Sequence, residues 1–228
     1  MYELERITIE AVSALVCFIL VRFMLKPFQL TGESRYLGLP IGFGFLGTSY
    51  AFSAFSFSHI LDFNNTAWVQ LFFRAFAFLF LAVTYYFSKS TKQPKLLWNL
   101  TLGALAAILT TLIMLAVFSP QNMFAIYLTA QMYVRIFDLI CLFYISIHSL
   151  NSHIEQPDPT TLMIPLGYIL LGIGQFSVLI WVVDKSALAF WAGLVLRLAG
   201  LGLFLYVSYK VFYAQRKGGN NEDYSAPR

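Results

Sequence analysis

Leu96 to Phe118 reads LLWNLTLGALAAILTTLIMLAVF, twenty-three residues without one charged side chain. A helix of that length rises about 35 Å, enough to cross a hydrocarbon core of about 30 Å. The rest of the chain is read outward from this segment. Six further apolar stretches of comparable length flank it, giving expected spans over 7–25, 37–61, 67–88, 96–118, 123–148, 161–183 and 188–213. The expected fold class is therefore all-α: a polytopic membrane protein with seven transmembrane helices in one domain over 1–213. The segment 214–228, AQRKGGNNEDYSAPR from its first residue Ala214, is polar and reads as a short flexible cytoplasmic tail.

Composition agrees. Of 228 residues 59% are hydrophobic and only 11% charged, and the mean hydropathy is +0.70. A water-facing surface normally carries about 25% charged residues. A soluble enzyme, a nucleic-acid-binding domain and a disordered chain are excluded on this count, and the net charge of +4 is read as membrane topology. The first span is preceded by Glu3 and Glu5 rather than a basic patch, and no small-residue cleavage site follows it, so it is expected to remain as a membrane helix.

Basic residues beside the spans set the expected orientation. Lys26, Arg35, Lys89, Lys92, Lys95, Lys210, Arg216, Lys217 and Arg228 fall on one side, and Arg6 and Lys185 on the other. Nine against two places the N-terminus outside and the C-terminus in the cytoplasm of a multi-pass cell-membrane protein. Trp68, Trp98, Trp181 and Trp191 each fall near a span end, where amphipathic rings favour the interface.

Three arginines stand inside apolar spans, Arg74, Arg135 and Arg197, spaced by 61 and 62 residues. Aligned on them, the sequence reads QLFFRAFA from Gln70, QMYVRIFD from Gln131 and GLVLRLAG from Gly193. The preceding spans align too: LPIGFGFLG from Leu39, IPLGYILLG from Ile164, and Gly103 sixty-one residues after Gly42. This spacing predicts one leading helix followed by three helical-hairpin repeats in a common orientation.

An intramembrane charge costs at least about 2.5 kcal/mol on insertion scales, so these arginines call for partners or a polar cavity. Gln70 with Arg74, and Gln131 with Arg135, are four apart and share a helix face. Asp138 follows Arg135 by one turn on that face. Two readings stand side by side. In one, the three faces converge, Asp138 neutralises one guanidinium, and a positive pocket in the outer half takes a small anion, since arginine offers a planar fork to carboxylates and other oxyanions. In the other, Arg74 and Arg197 pair structurally with Glu10, Asp62 or Asp184, Arg135 pairs with Asp138 alone, and the network fixes helix register.

Other chemistry is sparse. His59 and Asp62 form H-x-x-D at the end of span 2, too few ligands for a metal, so no metal is expected and His59 is read as an interfacial hydrogen-bonding group. His148 and His153 flank the loop between spans 5 and 6 with Glu155 and Asp158 and are read as solvated loop chemistry. Cys17 and Cys141 lie in apolar runs and supply neither a disulfide framework nor a thiolate cluster. Gly42–Gly47 matches G-x-G-x-x-G as text, but no strand precedes it, and its glycines are read as helix-contact positions. A retinal Schiff base would need a lysine in the last span, which carries Arg197 instead; no cofactor is expected. With no catalytic triad or paired carboxylates, the chain is not expected to be an enzyme. Expected partners are the lipid bilayer, a protein in the membrane or cytoplasm and a small anionic ligand, with no nucleic acid. Three functions fit: a non-catalytic sensor or coupling subunit, an accessory structural subunit of a larger membrane complex, and a small-anion transporter or channel.

Overall fold

A computed structural model describes residues 3–58, 63–88, 95–118, 120–155 and 157–211. Among these the protein is all-helical: α1 (Glu3–Thr31), a short 3-10 turn (Ser34–Leu37), α2 (Gly38–Phe57), α3 (Phe63–Ser88), α4 (Lys95–Phe118), α5 (Pro120–Glu155), α6 (Pro159–Asp184) and α7 (Ala187–Tyr209). Local chemistry fixes several ends. Gly32, at φ +67°, turns the chain after α1 and donates its N–H to the Phe28 carbonyl at 2.8 Å. Lys185, at φ 55°, ends α6 in the same way, and the Ser186 hydroxyl then caps α7 by accepting from Ala189 N–H.

Six of the seven helices are long and apolar enough to cross a membrane: α1 and α3 to α7. α2 is the exception. Its 20 residues include Gly38, Gly42, Gly44 and Gly47 and three serines, which lower its hydropathy. Burial explains this composition, because α2 packs between α1 and α3 along its length. Two of its hydroxyls find acceptors inside the protein: Thr48 donates to the Gly44 carbonyl at 2.9 Å and Ser49 to the Gln70 carbonyl of α3 at 3.1 Å.

Packing sorts the helices differently from three hairpins behind a leader. The sequence α1, α2, α3, α5, α6, α7 forms a ring in which each helix packs on the next and α7 closes on α1. α4 stays outside. It rests on α3 through Leu109, which sits with Phe76 and Phe80, and barely meets α5. Its start is tied down by the buried Trp98, whose indole N–H donates to the Ser34 carbonyl at 3.0 Å. Ala116, near its end, is buried with Trp68 and Leu71 of α3, while the face turned away from α3 is exposed, with Leu100 and Phe118 at 70% and 80%. Thr101, Thr110 and Thr111 each donate to the carbonyl one turn back on α4, so no hydroxyl of these three needs water.

The glycines aligned in the sequence part company accordingly. A side chain on Gly42 would strike Leu81 of α3, and one on Gly167 would strike Phe204 of α7, whereas Gly103 on α4 faces open space. The hairpin of spans 4 and 5 is therefore not a packed pair, and α5 packs instead between α3 and α6.

The six ring helices close on one apolar core. Cys17 and Leu20 from α1, Phe43 and Leu46 from α2, Phe78 and Leu81 from α3, and Leu142 and Ile145 from α5 meet Tyr168, Leu171, Leu201 and Phe204 from the last two helices. Phe204 packs on both Tyr168 and Phe43, with ring centroids 4.6 and 5.4 Å away. Burying side chains of this size gives about 1.5–3 kcal/mol each on the transfer scale. This solid half occupies the end of the ring where α1 finishes and α2 begins. The other end is hollow.

Candidate anion site

The hollow end is a cavity of about 420 Å³, lined by residues from all six ring helices. Its cationic lining is Arg6 of α1, Arg74 of α3, Arg135 of α5, Arg197 of α7 and Lys185 from the turn between α6 and α7; Glu10 is the one acid. Gln70, Gln131 and Gln175 add amides. The three arginines singled out by spacing and the glutamines one turn before two of them thus face a common space.

Helical periodicity explains how they get there. Arg74 precedes Phe78 and Leu81, and Arg197 precedes Leu201 and Phe204, at the three- and four-residue steps that hold one face. The stripe that builds the apolar core therefore carries each guanidinium into the space above it.

At the floor, the Arg197 Nη1 donates to Glu10 Oε1 at 3.2 Å, joining α7 to α1. The same guanidinium sits over the Tyr50 ring, 4.3 Å from its centroid, with Arg74 at 5.9 Å from that ring. Arg135 donates through Nη1 to Gln175 Oε1 at 3.3 Å. Donor capacity is left over: Arg197 Nε and Nη2 and the Nε atoms of Arg6, Arg74 and Arg135 are buried without a hydrogen-bond partner. Each such unsatisfied donor is costly in a site removed from bulk water.

Arg6 forms a second cationic level. Its guanidinium stacks on Phe57 at 3.6 Å and lies 5.3 and 5.5 Å from the Phe190 and Trp181 rings, while Lys185 lies 5.4 Å from Trp181. The floor of α6 and α7 is tight by design of sequence: an added Cβ on Gly174 would come 3.1 Å from the Gly193 carbonyl, and one on Gly193 would come 3.0 Å from the Gly174 carbonyl. The two glycines bring the helices together and let Arg197 reach inward.

Asp138 is placed differently from the expectation. It is fully buried, does not line the cavity, and neither carboxylate oxygen has a hydrogen-bond partner, so it forms no hydrogen-bonded pair with Arg135. One turn of helix carries it past the cavity to the edge of the core. Glu10, weighed as a charge partner, holds Arg197; Asp184 is exposed at the end of α6. His59 and Asp62 lie outside the described residues, as does the tail after Val211. His153, expected as solvated loop chemistry, is on the last turn of α5, with Nδ1 2.7 Å from the Thr161 hydroxyl of α6. Among the described residues no three His, Cys, Asp or Glu side chains are grouped to hold a metal ion.

Sequence reasoning missed three contributors. Arg6 was counted among topology charges because it precedes the first span. Tyr50 carried no sign of its role beneath two guanidinium groups. Gln175, a lone amide in an apolar helix, was the legible one, since such groups are rare there and usually face a partner. Compared with protein-family models, with curated proteins and with solved structures, the chain matches none of them.

Proposed function

We propose that this chain is a non-catalytic integral membrane protein that binds a small anion in the cavity above Tyr50, and acts as a sensor or coupling subunit. One observation carries the reading: five cationic side chains and three amides line one cavity with a single acid. That excess of preorganised donors in a place remote from water favours an anion over a cation or a neutral molecule. The seven helices, α2 included, all cross the bilayer in this reading. The basic residues beside the spans support an N-terminus outside, so the cavity faces the outer side of a cell membrane. The core below Tyr50 supports a binding site with one mouth. A helix shift passed from the site to a protein partner would then be the output, with the partner met in the membrane or the cytoplasm.

The test is binding. The purified protein in lipid nanodiscs is titrated with small carboxylates, alongside Arg74→Met, Arg135→Met and Arg197→Met. Saturable binding weakened by each folded variant supports the reading; binding unchanged in all three defeats it and leaves the arginines as structural pairs.

A transporter of the same anions is the second reading, favoured by the cavity's position between α1–α3 and α5–α7. A polar cavity walled by several helices on each side is the kind of place where transporters hold a substrate. Anion flux in proteoliposomes containing this protein alone distinguishes it from a sensor. An accessory structural subunit would neither bind nor transport.

A further inference from the structure

Four of the five cations of the cavity stand in two tiers, while Arg135 donates to Gln175 on the wall. The lower tier is Arg74 and Arg197 on the face of Tyr50. The upper tier is Arg6, stacked on Phe57 and near Phe190, with Lys185 beside Trp181. Phe190 precedes Arg197 by seven residues on α7, about 10 Å of helical rise, and Arg6 precedes Glu10 by four on α1, about 6 Å. Between the tiers the lining mixes aliphatic side chains, Leu71, Val178 and Leu194, with the polar Ser53, Gln70 and Gln175.

Size and charge both speak against a single-headed ion. At about 30 Å³ per water, 420 Å³ is the room of roughly fourteen waters, far more than one inorganic oxyanion fills. Five cations against Glu10 leave a surplus that one negative charge does not offset. A lone carboxylate on the lower tier would leave the edge of Arg6, whose Nε is buried without a hydrogen-bond partner, unfilled. Arg6 is also shaped to receive a head of its own: stacking occupies the face of a guanidinium and leaves its edge free for the in-plane fork that carboxylates prefer.

Resting on the anion-site reading above, we propose that the ligand is a two-headed organic anion of the dicarboxylate class, held lengthwise with one head on Arg74 and Arg197 and the other on Arg6 and Lys185. The aliphatic side chains of the wall pack against the carbon chain between the heads.

The experiment is calorimetric titration of the nanodisc-held protein with unbranched monocarboxylates and α,ω-dicarboxylates of matched carbon number over a short homologous series. Dicarboxylates are expected to bind at least about tenfold tighter than their matched monocarboxylates, with a maximum at an intermediate length. Arg6→Gln is expected to bring dicarboxylate affinity down to the monocarboxylate level, with a much smaller loss for the monocarboxylates. Lys185→Gln, at an exposed turn position, should act in the same direction and serves if Arg6→Gln does not fold. Equal affinity of the two series, or an equal loss for both in these variants, overturns the two-headed ligand while leaving an anion site. Binding of neither series overturns the site itself, and this inference with it.

Discussion

Arg197 rests its guanidinium on the Tyr50 ring, 4.3 Å from the centroid, while the Tyr50 hydroxyl is buried without a hydrogen-bond partner. The tyrosine thus contributes through its ring and not through its oxygen. Tyr50→Phe should match or exceed the parent in thermal stability, because it deletes an unsatisfied buried hydroxyl and keeps the cation–π contact. Tyr50→Leu should lose about 1–3 kcal/mol and weaken anion binding as Arg74 and Arg197 lose their platform. Melting curves in detergent, with and without a carboxylate, check both; equal loss in the two variants would contradict the assignment.

Glu10 is an internal competitor for the same donors. Arg197→Met should cost about 3–5 kcal/mol, since it strands a buried carboxylate, and a Glu10→Met/Arg197→Met double variant should recover most of that loss. A double-mutant cycle on unfolding free energy measures the coupling.

Neutralising the carboxylate alone has the opposite effect on the site. Glu10→Gln should raise anion affinity by about tenfold, roughly 1.4 kcal/mol, even as it loosens the α1–α7 contact. Titration of the variant with the carboxylates used for the parent gives the answer; unchanged or weaker binding would mean that Glu10 does not compete.

The α6–α7 seam depends on small residues. Gly193→Val would put carbon into space where a Cβ already comes 2.6 Å from the Val178 side chain, and should cost about 1–3 kcal/mol by forcing the helices apart. Gly103→Val on α4 meets nothing within 4 Å and should leave the melting temperature unchanged.

On α4 itself, only the face toward α3 should matter. Leu109→Ala, at a buried position beside Phe76 and Phe80, should cost about 2–4 kcal/mol, and Leu100→Ala almost nothing. Unfolding in a fixed detergent separates them.

What could be read from sequence divides along physical lines. Arg74, Arg135 and Arg197 announced themselves because charge in an apolar helix is expensive. Arg6 did not, because a cation at a helix end is ordinary until aromatic rings are found around it. Asp138 was correctly read as sharing a face with Arg135, yet a carboxylate one turn deeper meets core instead of cavity. The place of α4 was illegible for a different reason. Lipid-facing and protein-facing surfaces are equally apolar in a membrane, so hydropathy finds the helix and says nothing about its neighbours.

The position of α4 outside the ring has a consequence of parity. Three strokes of an up-and-down chain leave it at the end opposite to its start, so a second set of three entered directly would run upside down. One extra stroke, laid against the outside where it costs the interior no space, resets the direction. Where each helix reverses the one before it, α5, α6 and α7 run in the same sense as α1, α2 and α3, and Arg74 and Arg197, each on the third helix of its set, line one hollow.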